Sequence, residues 1–195
     1  MTKDIRDFNP PRKKKRAVPH QINTRWDDLR TPAYGVKKVL GKEPTDQAYK
    51  GGVVQSFVSG ADNAVAFTVQ LPHSYKEESD LCFHLHVIIP TAGAGGAAEN
   101  VKFDFTYSWA NIDGVFPAET PVSVTTDVKD IAADTHFIIE FPHFDGTGKT
   151  ISSVLICSLT RDTGVANNYA DDIYLSELDF HFEKDSNGSR WEWIK

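Results

Sequence analysis

The chain has 195 residues, 40% hydrophobic and 25% charged, with a formal net charge of −6, which is enough to build one core and one domain. No apolar run of roughly 18 residues is present to cross a membrane, and residues 1–7 lack the apolar stretch of a signal peptide, so a soluble cytosolic product is expected. The charge is unevenly placed: residues 1–50 hold 13 Lys or Arg against 6 Asp or Glu, and residues 51–195 hold 8 against 21.

The basic excess centres on Arg12, Lys13, Lys14, Lys15 and Arg16, directly after Pro10 and Pro11. This run has no apolar periodicity and too little to bury, so residues 1–25 read as an extended arm that orders only against a partner. The expected partner is an acidic protein surface, such as the acidic body of a neighbouring copy. Nucleic acid is disfavoured, because no aromatic residue is interleaved with the basic run and the body is acidic. The run also has the composition of a nuclear-localisation signal. Four prolines, at 10, 11, 19 and 32, argue against a long helix. Trp26 then opens an anchoring segment, 26–32, leading into a domain over 26–195.

From residue 53 onward the hydrophobic pattern has a period of two. Runs rich in β-branched and aromatic residues at 53–58, 65–71, 81–89, 101–109, 122–128, 135–141, 151–159 and 173–182 predict about eight strands. Turn chemistry separates them, including Gly60-Ala61-Asp62-Asn63, Asp113-Gly114 and Asp145-Gly146-Thr147-Gly148. No ten-residue stretch has helical periodicity. The expected fold is all-β, an antiparallel β-sandwich of jelly-roll type, with immunoglobulin-like connectivity as the alternative. Alternation assigns Leu81, Phe83, Leu85, Val87 and Ile89 to the core and Cys82, His84, His86 and Ile88 to the opposite face. By the same rule Val101, Phe103, Phe105 and Tyr107 face inward, as do Leu178, Phe180 and Phe182, leaving Asp179, His181 and Glu183 outside. Cys82 and Cys157 lie in apolar runs and read as buried thiols, not a disulfide.

His84-Leu85-His86 is the leading candidate site, since an i, i+2 pair on a strand sets two imidazoles side by side where they can share a metal. A cupin enzyme would also need glycine six residues before the first histidine and glutamate soon after the second. Those places hold Glu78, then Pro90 and Thr91, so an enzyme of that type is not expected. Two other readings stay open: His84 and His86 from three copies ringing an ion on an axis, or the pair hydrogen-bonded at a sheet or subunit interface. No cofactor other than such an ion is expected.

Residues 144–150 end like a phosphate-binding loop but have Phe141 where that pattern needs glycine, and a strand follows, so Asp-Gly-Thr-Gly reads as a turn. Asp171 and Asp172, beside Asn167 and Asn168, offer oxygen ligands for calcium, or a solvated turn. No Gly-x-Ser-x-Gly elbow is present, and no catalytic residue is nominated. Trp26, Trp191 and Trp193 are candidate interface anchors, although the last two could instead complete the core. An alternative function is a carbohydrate- or receptor-binding sandwich using Trp109 or Tyr107.

Three segments together resemble small virion structural proteins of tailed bacteriophages. They are Trp26-Asp27-Asp28-Leu29-Arg30-Thr31-Pro32; residues 67–80, containing Pro72-His73-Ser74-Tyr75, with His84 and His86 beyond; and residues 178–190, containing Leu178-Asp179-Phe180-His181-Phe182-Glu183. The similarity spans most of residues 26–190. In that group a glycine commonly stands where this chain has Glu78, and a tryptophan where it has Val87. The resemblance implies a non-enzymatic head-fibre, capsid-decoration or tail and collar component, made in the host cytoplasm and located in the virion. Its expected partners are further copies of itself, as a homotrimer, and other virion proteins docked through the arm.

Overall fold

The computed structural model describes residues 25–164, 166, 168–192 and 194–195. Arg12, Lys13, Lys14, Lys15 and Arg16 of the expected arm, together with Asn167 and Trp193, lie outside the described residues.

Eleven strands are described: β1 (Arg25–Pro32), β2 (Lys37–Lys38), β3 (Thr45–Tyr49), β4 (Gly52–Phe57), β5 (Ala64–Gln70), β6 (Leu81–Ile89), β7 (Asn100–Ala110), β8 (Thr120–Asp127), β9 (Thr135–Glu140), β10 (Val154–Asp162) and β11 (Ile173–Lys184), with one 3-10 turn at Ala33–Gly35. They form two sheets in which every pairing is antiparallel. The first runs β3-β4-β11-β6-β9, with β1 also on β11, and the second runs β2-β5-β10-β7-β8. Stripped of β1, β2 and β3, the orders β4-β11-β6-β9 and β5-β10-β7-β8 are those of an eight-stranded jelly roll. Immunoglobulin-like connectivity is thereby excluded.

The alternating stripes build the core. Leu81, Phe83, Leu85, Val87 and Ile89 are buried against Val101, Phe103 and Phe105 of the opposite sheet. Phe83 is central, with ring centroids 4.2 Å from Phe105, 4.7 Å from Phe180 and 5.1 Å from Phe141. Removing such a ring costs about 3–5 kcal/mol through lost transfer energy and the cavity left behind. At one end of the sandwich the buried Arg161 guanidinium donates to the carbonyls of Phe57 at 2.7 Å and Tyr169 at 3.0 Å, which compensates the removal of its charge from water.

Several details differ from the sequence reading. The polar edge strands β2 and β3 carry no apolar alternation and were not expected. The strand expected at 151–159 begins at Val154, because residues 146–153 turn, with Lys149 N–H donating to Gly146 O and Ser153 N–H to Thr150 O. The Asp145 turn is as expected, its Oδ1 accepting from Thr147 N–H at 2.9 Å. Gly146 must be glycine, since a Cβ there would lie 1.7 Å from the carbonyl oxygen of Ser79. Trp109 is not an exposed ligand platform: it is buried at the core end of β7, and its indole N–H donates to Ser153 Oγ at 2.9 Å. Parity along β7 requires this, because Trp109 shares the inward face with Phe103 and Phe105. Both cysteines are free, with Cys157 buried.

Candidate functional site

The outer face of the first sheet gathers most of the chain's imidazoles. β6 projects His84 and His86 there, β9 adds His136 and β11 adds Asp179 and His181. Register brings them together, with Asp179 opposite His84 and Glu177 opposite His86 across the β6–β11 ladder. A β-bulge makes this possible. The register shifts between Leu175 and Glu177, where Ser176 Oγ donates to the His86 carbonyl at 2.8 Å. Ile173 and Leu175 face the core before the bulge, and Leu178, Phe180 and Phe182 after it. The extra residue inverts the parity of the strand and turns Glu177, Asp179 and His181 outward. Without it these residues would point into the core.

The cluster is tightly spaced. His84 Nε2 lies 3.0 Å from His86 Nε2, and His86 Nδ1 lies 2.8 Å from His136 Nε2. Asp179 Oδ2 is 3.8 Å from His84 Nε2 and 3.9 Å from His86 Nε2. His181 stacks edge-on to His84 at 4.4 Å between centroids, and its Nε2 lies 3.1 Å from Asp28 Oδ1 of β1. His84 and Asp179 are buried although they stand on the outer face.

This burial sets the protonation. Desolvation, reinforced by His181 and His86, holds the His84 imidazole down to about 4. Desolvation and His136 also lower His86, while desolvation and Asp28 raise Asp179. The Asp179 contacts therefore have ion-pair distances without being ion pairs: the rings are neutral at pH 7. Arg30, directly opposite Asp179 on β1, sends its guanidinium to Glu177 instead, with Nε donating at 2.7 Å and Nη2 at 2.6 Å.

Beside the cluster, an open cavity of about 540 Å³ is lined by residues including Arg30, Tyr49, His86, Asp134, His136 and Glu177. Tyr49 donates to Asp134 Oδ1 at 2.8 Å and Lys50 pairs with Asp134 Oδ2 at 2.9 Å. On the other flank Cys82 Sγ meets His143 Nε2 at 3.0 Å, but desolvation and Asp80 raise the Cys82 thiol, so it is not activated as a thiolate.

Of the residues named from sequence, His84 and His86 come together as their spacing implies. Asp179, His136 and His181 were not read as their partners, because only register and the bulge join them. Alternation puts Asp179 and His181 on the outer face, and the parity break between Leu175 and Leu178 was the signal for the bulge in β11. Trp26, on β1 opposite Glu183, is 55% exposed, and Trp191 is 67% exposed, so neither completes the core. Asp172 accepts hydrogen bonds from Ser56 Oγ at 2.9 Å and Ser59 N–H at 3.0 Å, a turn-fixing role where calcium ligation had been considered.

No protein-family model matches the chain, and no curated protein does. Among solved structures it is similar to a cycloisomaltooligosaccharide glucanotransferase of Paenibacillus sp., at 15% identity over 77% of this chain and 18% of that one, with a TM-score of 0.42. It is also similar to the family 22 carbohydrate-binding module of Clostridium thermocellum Xyn10B, at 13% identity over 83% and 87% of the two chains, TM-score 0.37. A structure of infectious bursal disease virus, Gx strain, matches at 12% identity over 86% of this chain and 33% of that one, TM-score 0.40.

Proposed function

We propose that this chain is a non-enzymatic structural subunit of a tailed-phage virion, a jelly-roll block that acts by docking and assembles as a homotrimer. The observation that carries the reading is that the three segments resembling such proteins, far apart in sequence, are contiguous in space. β1 pairs with β11 over eight positions, from Arg25 opposite Lys184 to Pro32 opposite Glu177, and β11 pairs with β6. The 72–80 loop closes on the same unit. Lys76 N–H donates to Glu183 O at 2.7 Å, Tyr75 bridges to Lys184, and His73 Nδ1 meets Ser189 Oγ at 2.7 Å. A further point supports the reading: Glu78, where the group commonly has glycine, has φ +66°, a left-handed conformation that glycine adopts without strain.

In this reading the sandwich supplies a rigid block, and the basic segment before β1 supplies charged contacts to an acidic partner surface. Light scattering of the full-length protein is expected to give the mass of three chains, and a chain lacking residues 1–24 to fold yet fail to enter particles. A monomer, or normal incorporation of the truncated chain, would sink the reading.

A second reading, glycan binding by the same sandwich, is favoured by the cavity. It offers a Tyr49 ring beside Arg30, Asp134 and Glu177, the combination of an aromatic face and charged hydrogen-bonding groups that suits sugar hydroxyls. In a glycan screen this reading requires at least one ligand whose binding Tyr49→Ala abolishes; a screen without hits removes it.

A further inference from the structure

We infer that His84, His86 and Asp179 form a transition-metal site within one chain, with His181 as the adjoining fourth donor. The two Nε2 atoms and Asp179 Oδ2 make a triangle with sides of 3.0, 3.8 and 3.9 Å. The point equidistant from all three, constructed from those sides, lies about 2.1 Å from each atom, within the bond lengths of about 2.0–2.2 Å that zinc makes to imidazole nitrogen and carboxylate oxygen. His84, Asp179 and His181 likewise offer ligand atoms all within 4.8 Å of one another.

The arrangement around Asp179 points to a cation there. The two Nε2 atoms, 3.0 Å apart, share one proton as an N–H···N hydrogen bond, and a bound ion would take that proton's place. Asp179 is 3% exposed, and its Oδ1 has no hydrogen-bond partner among the described residues; a buried carboxylate oxygen left in that state calls for an ion or water. Arg30, opposite Asp179 on β1, gives its two hydrogen bonds to Glu177 and none to Asp179.

The surroundings have the form of an outer shell. His136 Nε2 contacts His86 Nδ1 at 2.8 Å, which orients the ring so that Nε2 faces the triangle, whereas Asp28 Oδ1 holds His181 by its Nε2 at 3.1 Å and leaves Nδ1 as the nitrogen Asp28 does not engage. Two imidazoles and one carboxylate suit zinc or another divalent first-row ion and not calcium or magnesium, which prefer all-oxygen ligands. Bound there, the ion ties β6 to β11 across the outer face. No second copy of the chain is required, and the site does not depend on the proposed virion role.

The test is titration of full-length, chelator-stripped protein with Zn²⁺ by calorimetry and with Co²⁺ by visible absorption. The expected result is one ion per chain and a cobalt band of tetrahedral intensity. Asp179→Asn, which preserves shape, and His86→Gln, at a partly buried position on the outer face, should each weaken binding at least about 100-fold while far-UV circular dichroism stays unchanged. Three results would overturn the proposal: no binding at micromolar metal, binding unaffected by both substitutions, or one ion per three chains. The last would place the ion on a symmetry axis instead.

Discussion

At the scale of single residues, the molecule keeps several side chains in positions their chemistry resists. Glu78 holds a left-handed backbone that costs a non-glycine residue about 1 kcal/mol or more, and it persists because its N–H donates to the Lys149 carbonyl at 2.9 Å within the packed 72–80 loop. Glu78→Gly relieves this strain but gives the unfolded chain more freedom, worth about 0.4–1 kcal/mol in the opposite direction. The balance should leave the variant between neutral and about 1 kcal/mol more stable, read as the urea midpoint at constant m-value. A loss beyond 1 kcal/mol would mean that the Glu78 side chain makes a contact that outweighs the strain. Asp179 is a different case: its position was evident from alternation, but its significance was not, since a period-two pattern says which face a residue takes and nothing of which strand stands beside it.

At the scale of elements, β1 is the informative piece. It lies along the same edge of β11 that β4 occupies further on, so the two together cover one side of the longest strand. Lys184 Nζ meets Asp27 Oδ2 at 2.8 Å and Arg30 grips Glu177, but exposed pairs of this kind contribute at most about 1 kcal/mol each. The backbone ladder and the packing of Leu29 on the core hold β1 in place. Deleting residues 1–34 uncovers the β11 edge from Glu177 to Lys184 and should produce concentration-dependent self-association, whereas deleting only 1–24 should not. Sedimentation velocity of the two truncations separates these outcomes; equal behaviour would show that β1 does not protect the edge. From sequence β1 could be read only as an anchor, because Trp-Asp-Asp-Leu-Arg-Thr-Pro lacks the alternation of a core strand and pairs through its backbone.

At the scale of the whole molecule, buried phenols set an alkaline limit. Desolvation raises Tyr75 and Tyr169 to about 12, from an ordinary value near 10. Between these values the unfolded chain has released phenolic protons that the folded chain retains, so stability is full below pH 10 and is lost as pH rises toward 12. Each group accounts for about 3 kcal/mol of that loss at most. Tyr75→Phe should cost about 1 kcal/mol at pH 8, where the Ser79 carbonyl loses its donor, and should show a shallower decline between pH 10 and 12. An unchanged slope would mean that Tyr75 is not the titrating group.

The sequence by itself determined the all-β class, the inward stripes of β6, β7 and β11, the turns between them and the pairing of His84 with His86 on one face, because all of these follow from local periodicity and turn chemistry. Only the tertiary structure decided the jelly-roll strand order, the addition of β1 to the edge of β11 and the meeting of β6, β9 and β11 that surrounds His84 with Asp179, His136 and His181. Strand neighbours are chosen by non-local burial and hydrogen bonding across gaps of up to about 160 residues, and one inserted residue at Ser176 is enough to decide which side chains meet.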